Sequence, residues 1–524
     1  MRTTAKQRYD QPENAGSRGS RFARPAKPTL ANLTSYSFAI LAGLVLICAL
    51  MLTASNLLSI GFLFEHNYNE GWNVYNAQRI IDHELVYDDH YWRVNNYPVG
   101  SFLIVAGINL LTHDLLLSGR IVALVSLVTI TALAAVVTRS FGGDRTDAIF
   151  GGACALGFCY LVAPAWIMVD DPQTLGEAVM LGGFATYISR SPDRLSLSLA
   201  ALLVVLGSFI KQNLVAIPLA ITLDLAIRSP RRLPFWLACC AGFAAGFLGF
   251  TQIVAGGTFI DHLLSPRIFA WYGARYHLMK YLRLFKFPLV AIVLFSPTVF
   301  TGRRIVLAVW GIISIVVATI FSGFEGTSYN MFQDAAVFLG IAAGVMFCEL
   351  RQRIFAAGAI RGRFAWIVLG LLPLLIAQPI FARSTNAFLQ ICHSDALLEF
   401  NRRAEEAFLA EAKYISESQG PAICESLLLC YVSGKPFILD PFNSRQYILA
   451  GRLDQGELIR RIAAREFAVI QVRGEICDDP ATASCHILHY PQKFNRFTDE
   501  TLYAIDRYYQ VGRRSQDGVF YIPR

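Results

Sequence analysis

The chain has 524 residues, of which 54% are apolar and only 16% charged, with a formal net charge of +8. So little charge over this length excludes a soluble multidomain protein, and 37 Phe exclude a disordered one. What remains is a polypeptide that enters a membrane many times.

Residues 1–34 carry seven Lys and Arg against two acids, a net +5, and read as a disordered basic cytoplasmic tail. A basic tail beside an apolar run is a topology signal, so no nucleic-acid partner is expected. The first apolar run, 37–64, is too long for a cleaved signal peptide and no small-x-small site follows it. Uncharged runs follow at 121–138, 148–169, 195–210, 233–260, 305–324 and 364–382. Less pure runs sit at 172–189, 212–228, 287–302 and 330–348, which makes eleven candidate spans. The adjacent runs 195–210 and 212–228 are shorter than a full crossing and would leave a dent at the membrane surface.

Thirteen Arg lie in the short connections 139–147, 190–194, 228–232, 303–304 and 351–363, which places these with the tail on the cytoplasmic side. The segment 65–97 holds six acids against Arg79 and Arg93 and reads as an outer loop. The apolar stretch 98–117 would spoil the alternation as a span, and reads as a helix lying in the outer interface. An odd number of spans then puts 384–524 outside. The expected division is a tail (1–34), a transmembrane domain (35–383, with a first outer loop at 65–118) and a periplasmic α/β domain (384–524) of a multi-pass bacterial inner-membrane protein.

In that last domain the runs Phe437–Leu439, Ala468–Val472 and Val519–Ile522 look like strands. They alternate with helical patterns at Asp454–Arg465 and Asp499–Tyr509, the latter capped by Thr498, and Asp517-Gly518 reads as a hairpin turn. Six of the eleven Cys fall in spans as small buried hydrophobes. In an oxidising compartment Cys424 with Cys430 and Cys477 with Cys485 could form local disulfides.

Four groups of residues could carry chemistry. Glu70 directly follows the first span, among aromatic and amide side chains that include Tyr75, as in a lined pocket where its basicity would rise. Asp170 and Asp171 end the span 148–169 and could orient an acceptor or hold a divalent cation. The plainer alternative is helix termination before Pro172. Glu177, inside a span, is a suspect because an ionisable group there is costly. Lys211 splits two short runs and either snorkels to the interface or meets a phosphate. The outer stretch 256–286 holds Arg267, Arg275, Lys280, Arg283 and Lys286 against Asp261 alone, which suits an anionic ligand. Tyr329 and Asn330, in the last outer turn, could line the same cavity. No Walker A or dinucleotide fingerprint is present, which argues against an ATP-driven pump.

Order and topology together resemble the GT-C superfamily of membrane glycosyltransferases, whose bacterial branch includes protein O-mannosyltransferase-like and aminoarabinose-transferase-like enzymes. The resemblance rests on Asn69-Glu70-Gly71-Trp72 and Tyr75, the interfacial helix near Tyr97-Pro98, the acids Asp170 and Asp171, the break at Lys211 and the C-terminal α/β domain. It implies an inverting transfer of a sugar from a polyprenyl-phosphate donor to a hydroxyl of a lipid, glycan or protein acceptor of the cell envelope, at the outer face. No cofactor is required, although a divalent metal is compatible. Glu70 would match the first-loop catalytic acid, although the family often has Asp-Glu there with the Asp as base, and Asn69 occupies that position. Glu70, Asp171 and Asp170 are therefore the catalytic candidates. Lys211, Arg275 and Lys280 are the donor-phosphate candidates, and Tyr75, Glu177, Tyr329 and Asn330 the cavity lining. The rival expectation is a transporter or flippase of a lipid-linked anion, which needs the same cations but no base.

Overall fold

In a computed structural model, residues 30–89, 91–189, 193–356, 363–477, 485–487, 496–515 and 518–524 are described. The basic tail up to residue 29, Arg190, Arg361, Asp517 and the side chains of Arg363, Cys477 and Cys485 lie outside the described residues. Every one of the eleven apolar runs forms a helix: α1 (Leu30–Ser59), α4 (Leu115–Ser140), α5 (Arg145–Val162), α6 (Pro172–Ser189), α7 (Arg194–Ser208), α8 (Ala216–Arg228), α9 (Leu233–Ala255), α12 (Lys286–Val299), α13 (Ile305–Phe321), α14 (Gln333–Ala356) and α15 (Arg363–Cys392). Between them lie α2 (Tyr68–Ile81), α3 (Gly100–Thr112), α10 (Phe259–Leu263) and α11 (Trp271–Leu284).

Five helices are long and apolar enough to cross a membrane by length and composition. The chain is a polytopic α-helical membrane protein with a small C-terminal sheet. In hydrocarbon each helix satisfies its own peptide groups, so side chains decide the packing. α14 is buried along its whole apolar length, whereas α9 has few fully buried residues and packs on the core by one face only. Small residues let α5 and α14 approach: a Cβ on Gly340 would collide with Ala155, and one on Gly344 would crowd Gly151. α7 and α8 have 15 and 13 residues. At about 1.5 Å per residue neither reaches across ~30 Å of hydrocarbon, so the turn that joins them is held inside the protein. Lys211 in that turn is buried.

The C-terminal part begins with the long helix α16 (Ser394–Glu417) and continues as β1 (Ala422–Cys424), α17 (Leu427–Val432), α18 (Pro441–Leu449), α19 (Gln455–Ala463), β2 (Val469–Val472), β3 (Glu475–Cys477), β4 (Cys485–Ile487), α20 (Asp499–Tyr508), β5 (Tyr509–Arg514) and β6 (Val519–Pro523). The main sheet has the order β1-β2-β6-β5, with β1 parallel to β2 and the other pairs antiparallel. Thr498 caps α20 through its side chain, as its sequence position predicts, and Cys424 is bonded to Cys430.

Two expectations are corrected. Phe437–Leu439 is not a strand: Phe437 stacks on Tyr75 at 4.7 Å, and the segment runs into Asp440, the N-cap of α18. The segment 65–97, expected as a loop, contains the helix α2. Asn67 caps α2, Glu70 sits favourably in its first turn, and most of the helix is buried. α2 and α17 meet backbone to backbone, and a Cβ on Gly71 would collide with Leu428. Four of the six acids counted there are paired: Asp88 with Arg79 and Arg93 at 2.6 and 2.7 Å, Glu84 with the same two, Glu70 with Arg120 and Glu65 with Arg473. The stretch 98–117 contains the short helix α3, which leaves Leu110 and Leu111 exposed.

Candidate active site

Glu70 is fully buried and lines none of the hollows described below. Its two oxygens accept from Arg120 Nε at 2.7 Å and Nη2 at 2.9 Å, from His66 N at 2.8 Å and from Asp170 N at 3.4 Å. Arg120 also donates to the carbonyls of Ile60, Phe62 and Phe64, at 3.2, 2.6 and 2.7 Å. The pair ties the end of α1, the start of α2 and the start of α4 into one knot. A carboxylate held bidentately by a buried guanidinium has little to offer a substrate, so the structure places Glu70, expected as base, in an ion pair with Arg120 instead of on a hollow.

Asp170 and Asp171 diverge. Asp170 packs against Gly119 of α4, and its carbonyl accepts from Asn73 Nδ2 at 2.5 Å. Burial, then the neighbouring charges of Glu70 and Asp171, push its pKa well above the carboxylate range. Asp170 lines none of the hollows described below, so the structure does not bring it together with the other catalytic candidates. Asp171 points the other way. Its Oδ2 accepts from Asn69 Nδ2 at 2.8 Å and its Oδ1 from Gln173 N at 2.9 Å. Lys211 Nζ stands 3.9 Å from the same Oδ1 and 3.5 Å above the ring of Tyr97. That ammonium is buried with no hydrogen-bond partner among the described residues.

Three hollows converge on Trp166. A polar chamber of about 540 Å³ is lined by His66, Asn69, Tyr97, Trp166, Arg267 and Asp440, among others. A second lobe of about 360 Å³ shares Tyr97, Trp166 and Arg267 and adds Lys211, Asn213 and Asn330. A groove of about 800 Å³ lies on the other side of Trp166. It has an apolar flank (Leu52, Leu161, Leu284 and Pro379) and carries Lys280, Arg283, Lys286 and Arg383. The turn 326–331 is the shared wall: Ser328 and Tyr329 face the groove, while Thr327, Asn330 and Met331 face the lobe.

Of the residues expected from sequence, Asn330 and Lys211 reach the lobe, and Tyr329 and Lys280 reach the groove, with Lys280 Nζ 3.3 Å above the Tyr329 ring. Asp171 abuts the chamber through Asn69. Three others do not join them. Arg275 is exposed on α11 and lines none of these hollows. Tyr75 is buried against the C-terminal part, donating to the carbonyl of Lys435 at 2.8 Å. Glu177 is buried within the bundle beside Asp334, which accepts from Trp310 Nε1 at 2.7 Å. Arg120, Tyr97, Trp166, Arg473 and Asp440 are contributors that pattern alone missed. Among the described residues no group of three or more His, Cys, Asp and Glu side chains could hold a metal ion.

No family model matches the sequence. No curated protein matches it either. Solved structures do. ArnT from Cupriavidus metallidurans in the apo state superposes with a TM-score of 0.56 and 12% identity, over 93% of this chain and 98% of that one. The same protein bound to undecaprenyl phosphate gives a TM-score of 0.51 at 13% identity, over 93% and 97%. The archaeal oligosaccharyltransferase AglB from Archaeoglobus fulgidus, in complex with an inhibitory peptide and a dolichol-phosphate, gives 0.50 at 13% identity, over 94% of this chain and 75% of that one. The chain therefore has the GT-C fold.

Proposed function

We propose that this chain, starting from the GT-C fold, is a membrane glycosyltransferase that moves a sugar from a polyprenyl-phosphate donor to an acceptor hydroxyl, with inversion, at the periplasmic face of a bacterial inner membrane. The observation that carries this is the single wall, Trp166 with the turn 326–331, between a basic groove with an apolar flank and a polar chamber. An isoprenoid phosphate fits the groove, where cations stand beside apolar surface. An acceptor hydroxyl fits the chamber, where amides and hydroxyls surround Asn69. Two of the structural neighbours were solved with undecaprenyl phosphate and with a dolichol-phosphate, which supports the donor class.

In this reaction the acceptor oxygen attacks the anomeric carbon from the face opposite the phosphate. The bond from that carbon to the phosphate oxygen breaks, and its electron pair leaves with the lipid phosphate. Asp171 takes the acceptor proton, a role supported by its Oδ2, which accepts from the chamber-lining Asn69. Lys211 offsets the charge that builds on the leaving phosphate, a role that suits a buried ammonium with no hydrogen-bond partner of its own among the described residues. Lys280 and its neighbours hold the resting donor. The basic tail and the Arg-rich connections support an N-terminus in the cytoplasm and a C-terminal part outside.

The test uses purified protein in lipid nanodiscs with a panel of polyprenyl-phosphate sugars, scoring loss of donor. Asp171→Asn should lower turnover by about 10²–10⁴ with donor binding retained, while Asp170→Asn should stay close to wild type. Equal turnover of wild type and Asp171→Asn would remove the base. Lipid movement between leaflets with no donor consumed would favour the transporter.

A further inference from the structure

The polar chamber has a charge pattern that sugar transfer alone does not require. Arg267, Arg473 and Arg496 all line it, each from a different segment, and Asp440 is the one carboxylate lining it among the described residues. Asp440 is already engaged. Its Oδ1 accepts from Tyr68 Oη at 2.8 Å and from two backbone amides, and its Oδ2 accepts from Asn443 Nδ2 at 2.5 Å.

The three guanidinium groups are held from behind. The backbone amide of Arg473 donates to Glu425 Oε2 at 2.7 Å, and Arg496 Nη1 donates to Glu425 Oε1 at 3.2 Å. Arg473 also pairs with Glu65, and Arg496 lies 4.0 Å over the Tyr68 ring. Glu65 and Glu425 are nearly buried and do not line the chamber. Arg267 has no carboxylate pair among the described residues. It donates to the carbonyl of Glu325 at 3.1 Å and to Asn443 Oδ1 at 3.4 Å. Burial lowers the pKa of Arg267 and the charges of Asp440 and Glu325 oppose this only from a distance, so an anion in direct contact would offset the cost of burying this guanidinium. Arg473 also borders a further hollow of about 350 Å³ walled by Phe64, Phe400 and Phe408, which gives a longer acceptor room to continue.

We infer that Arg267, Arg473 and Arg496 form an acceptor subsite for an anionic substituent, so that the acceptor is an acidic glycan bearing a carboxylate or a phosphate near the hydroxyl that is glycosylated. Planar forks suit both oxyanions, because guanidinium groups bind each of them bidentately. The inference rests on the chamber being the acceptor side of the transferase.

Binding tests it without turnover. The full-length protein in nanodiscs is titrated with decyl β-glucuronide, decyl β-glucoside and decyl glucose 6-phosphate, and separately with decaprenyl phosphate. The two anionic probes should bind roughly 10- to 100-fold more tightly than the neutral one, as one or two charge-assisted contacts would give. Preference for the glucuronide over the phosphate, or the reverse, names which anion the subsite takes. Arg267→Gln should remove most of the discrimination, and Arg473→Lys should restore only part of what Arg473→Gln loses. Decaprenyl phosphate affinity should hold in all three variants. Equal affinity for neutral and anionic probes overturns the subsite. So does discrimination that survives both glutamine substitutions, or loss of decaprenyl phosphate binding in their place. Because no donor is consumed, an inactive enzyme that still discriminates would sink the transferase assignment and leave the anion site standing.

Discussion

Replacing Glu70 by Gln separates a structural carboxylate from a catalytic one. Two of the hydrogen bonds to Glu70 come from Arg120, at 2.7 and 2.9 Å, in a site closed to solvent. The amide keeps the shape but removes the charge and turns one acceptor into a donor facing a guanidinium or a backbone N–H. Breaking one side of a buried ion pair costs about 3–5 kcal/mol, out of a total stability of roughly 5–15 kcal/mol. Arg120→Met should cost at least as much, since it also orphans the carbonyls of Ile60, Phe62 and Phe64. The double variant should be less damaged than the two single losses added together, with a coupling of up to about 3 kcal/mol. Chemical unfolding in detergent, followed by Trp fluorescence, gives the three midpoints, and turnover is scored per folded molecule. A Glu70→Gln protein that unfolds like wild type yet has lost 10²–10⁴ of turnover would refute the knot and return Glu70 to the base role at about the usual share of general-base catalysis.

Lys211→Met should lower turnover more than donor affinity if its charge acts on the leaving phosphate, and EDTA should leave turnover unchanged. A variant that loses affinity alone would move Lys211 to ground-state binding. His66 is held down to about pKa 4, against an ordinary 6.5, mainly by burial and then by Arg120, with Glu70 opposing. The unfolded chain therefore takes up a proton that the folded one refuses, and stability should fall as pH drops from 6.5 towards 4 and stay level above. His66→Gln should flatten that slope, and an unchanged slope in unfolding midpoints against pH would exclude His66 as its source. Cys424→Ser should destabilise the C-terminal part by roughly 2 kcal/mol, because the disulfide it removes closes a short loop. Reductant should reproduce the shift in wild type and add nothing to the variant.

The bundle was legible because lipid leaves a chain few options: apolar runs become helices whatever their neighbours. α2 was not, because its buried face carries Glu70, Asn73, Asn76 and Arg79, and polarity reads as exposure until partners are known. Arg120 was missed for the complementary reason, a lone cation at the mouth of an apolar run looking like a helix flank. Lys211 was legible because it breaks two runs that are too short. Arg267 and Arg275 are eight positions apart in one basic stretch, and only folding shows that Arg267 faces the chamber. The chamber itself draws Asn69, Tyr97, Trp166, Arg267, Asp440 and Arg473 from six separate stretches of chain, a grouping with no local signature.

The hydrogen bond from Tyr68 to Asp440 joins residues 372 positions apart. At a synthesis rate of about 5–20 residues per second, Tyr68 waits roughly 20–70 s on the ribosome for its partner to be made. For that time the chamber lacks the wall that Asp440, Arg473 and Arg496 supply, and a half-made chain cannot engage what the finished one binds. The wall that residues 440, 473 and 496 supply thus reaches Tyr68 and its neighbours only long after they are made. A premature stop before residue 440 would leave the helical spans in the membrane with an open-sided cavity rather than a weakened one.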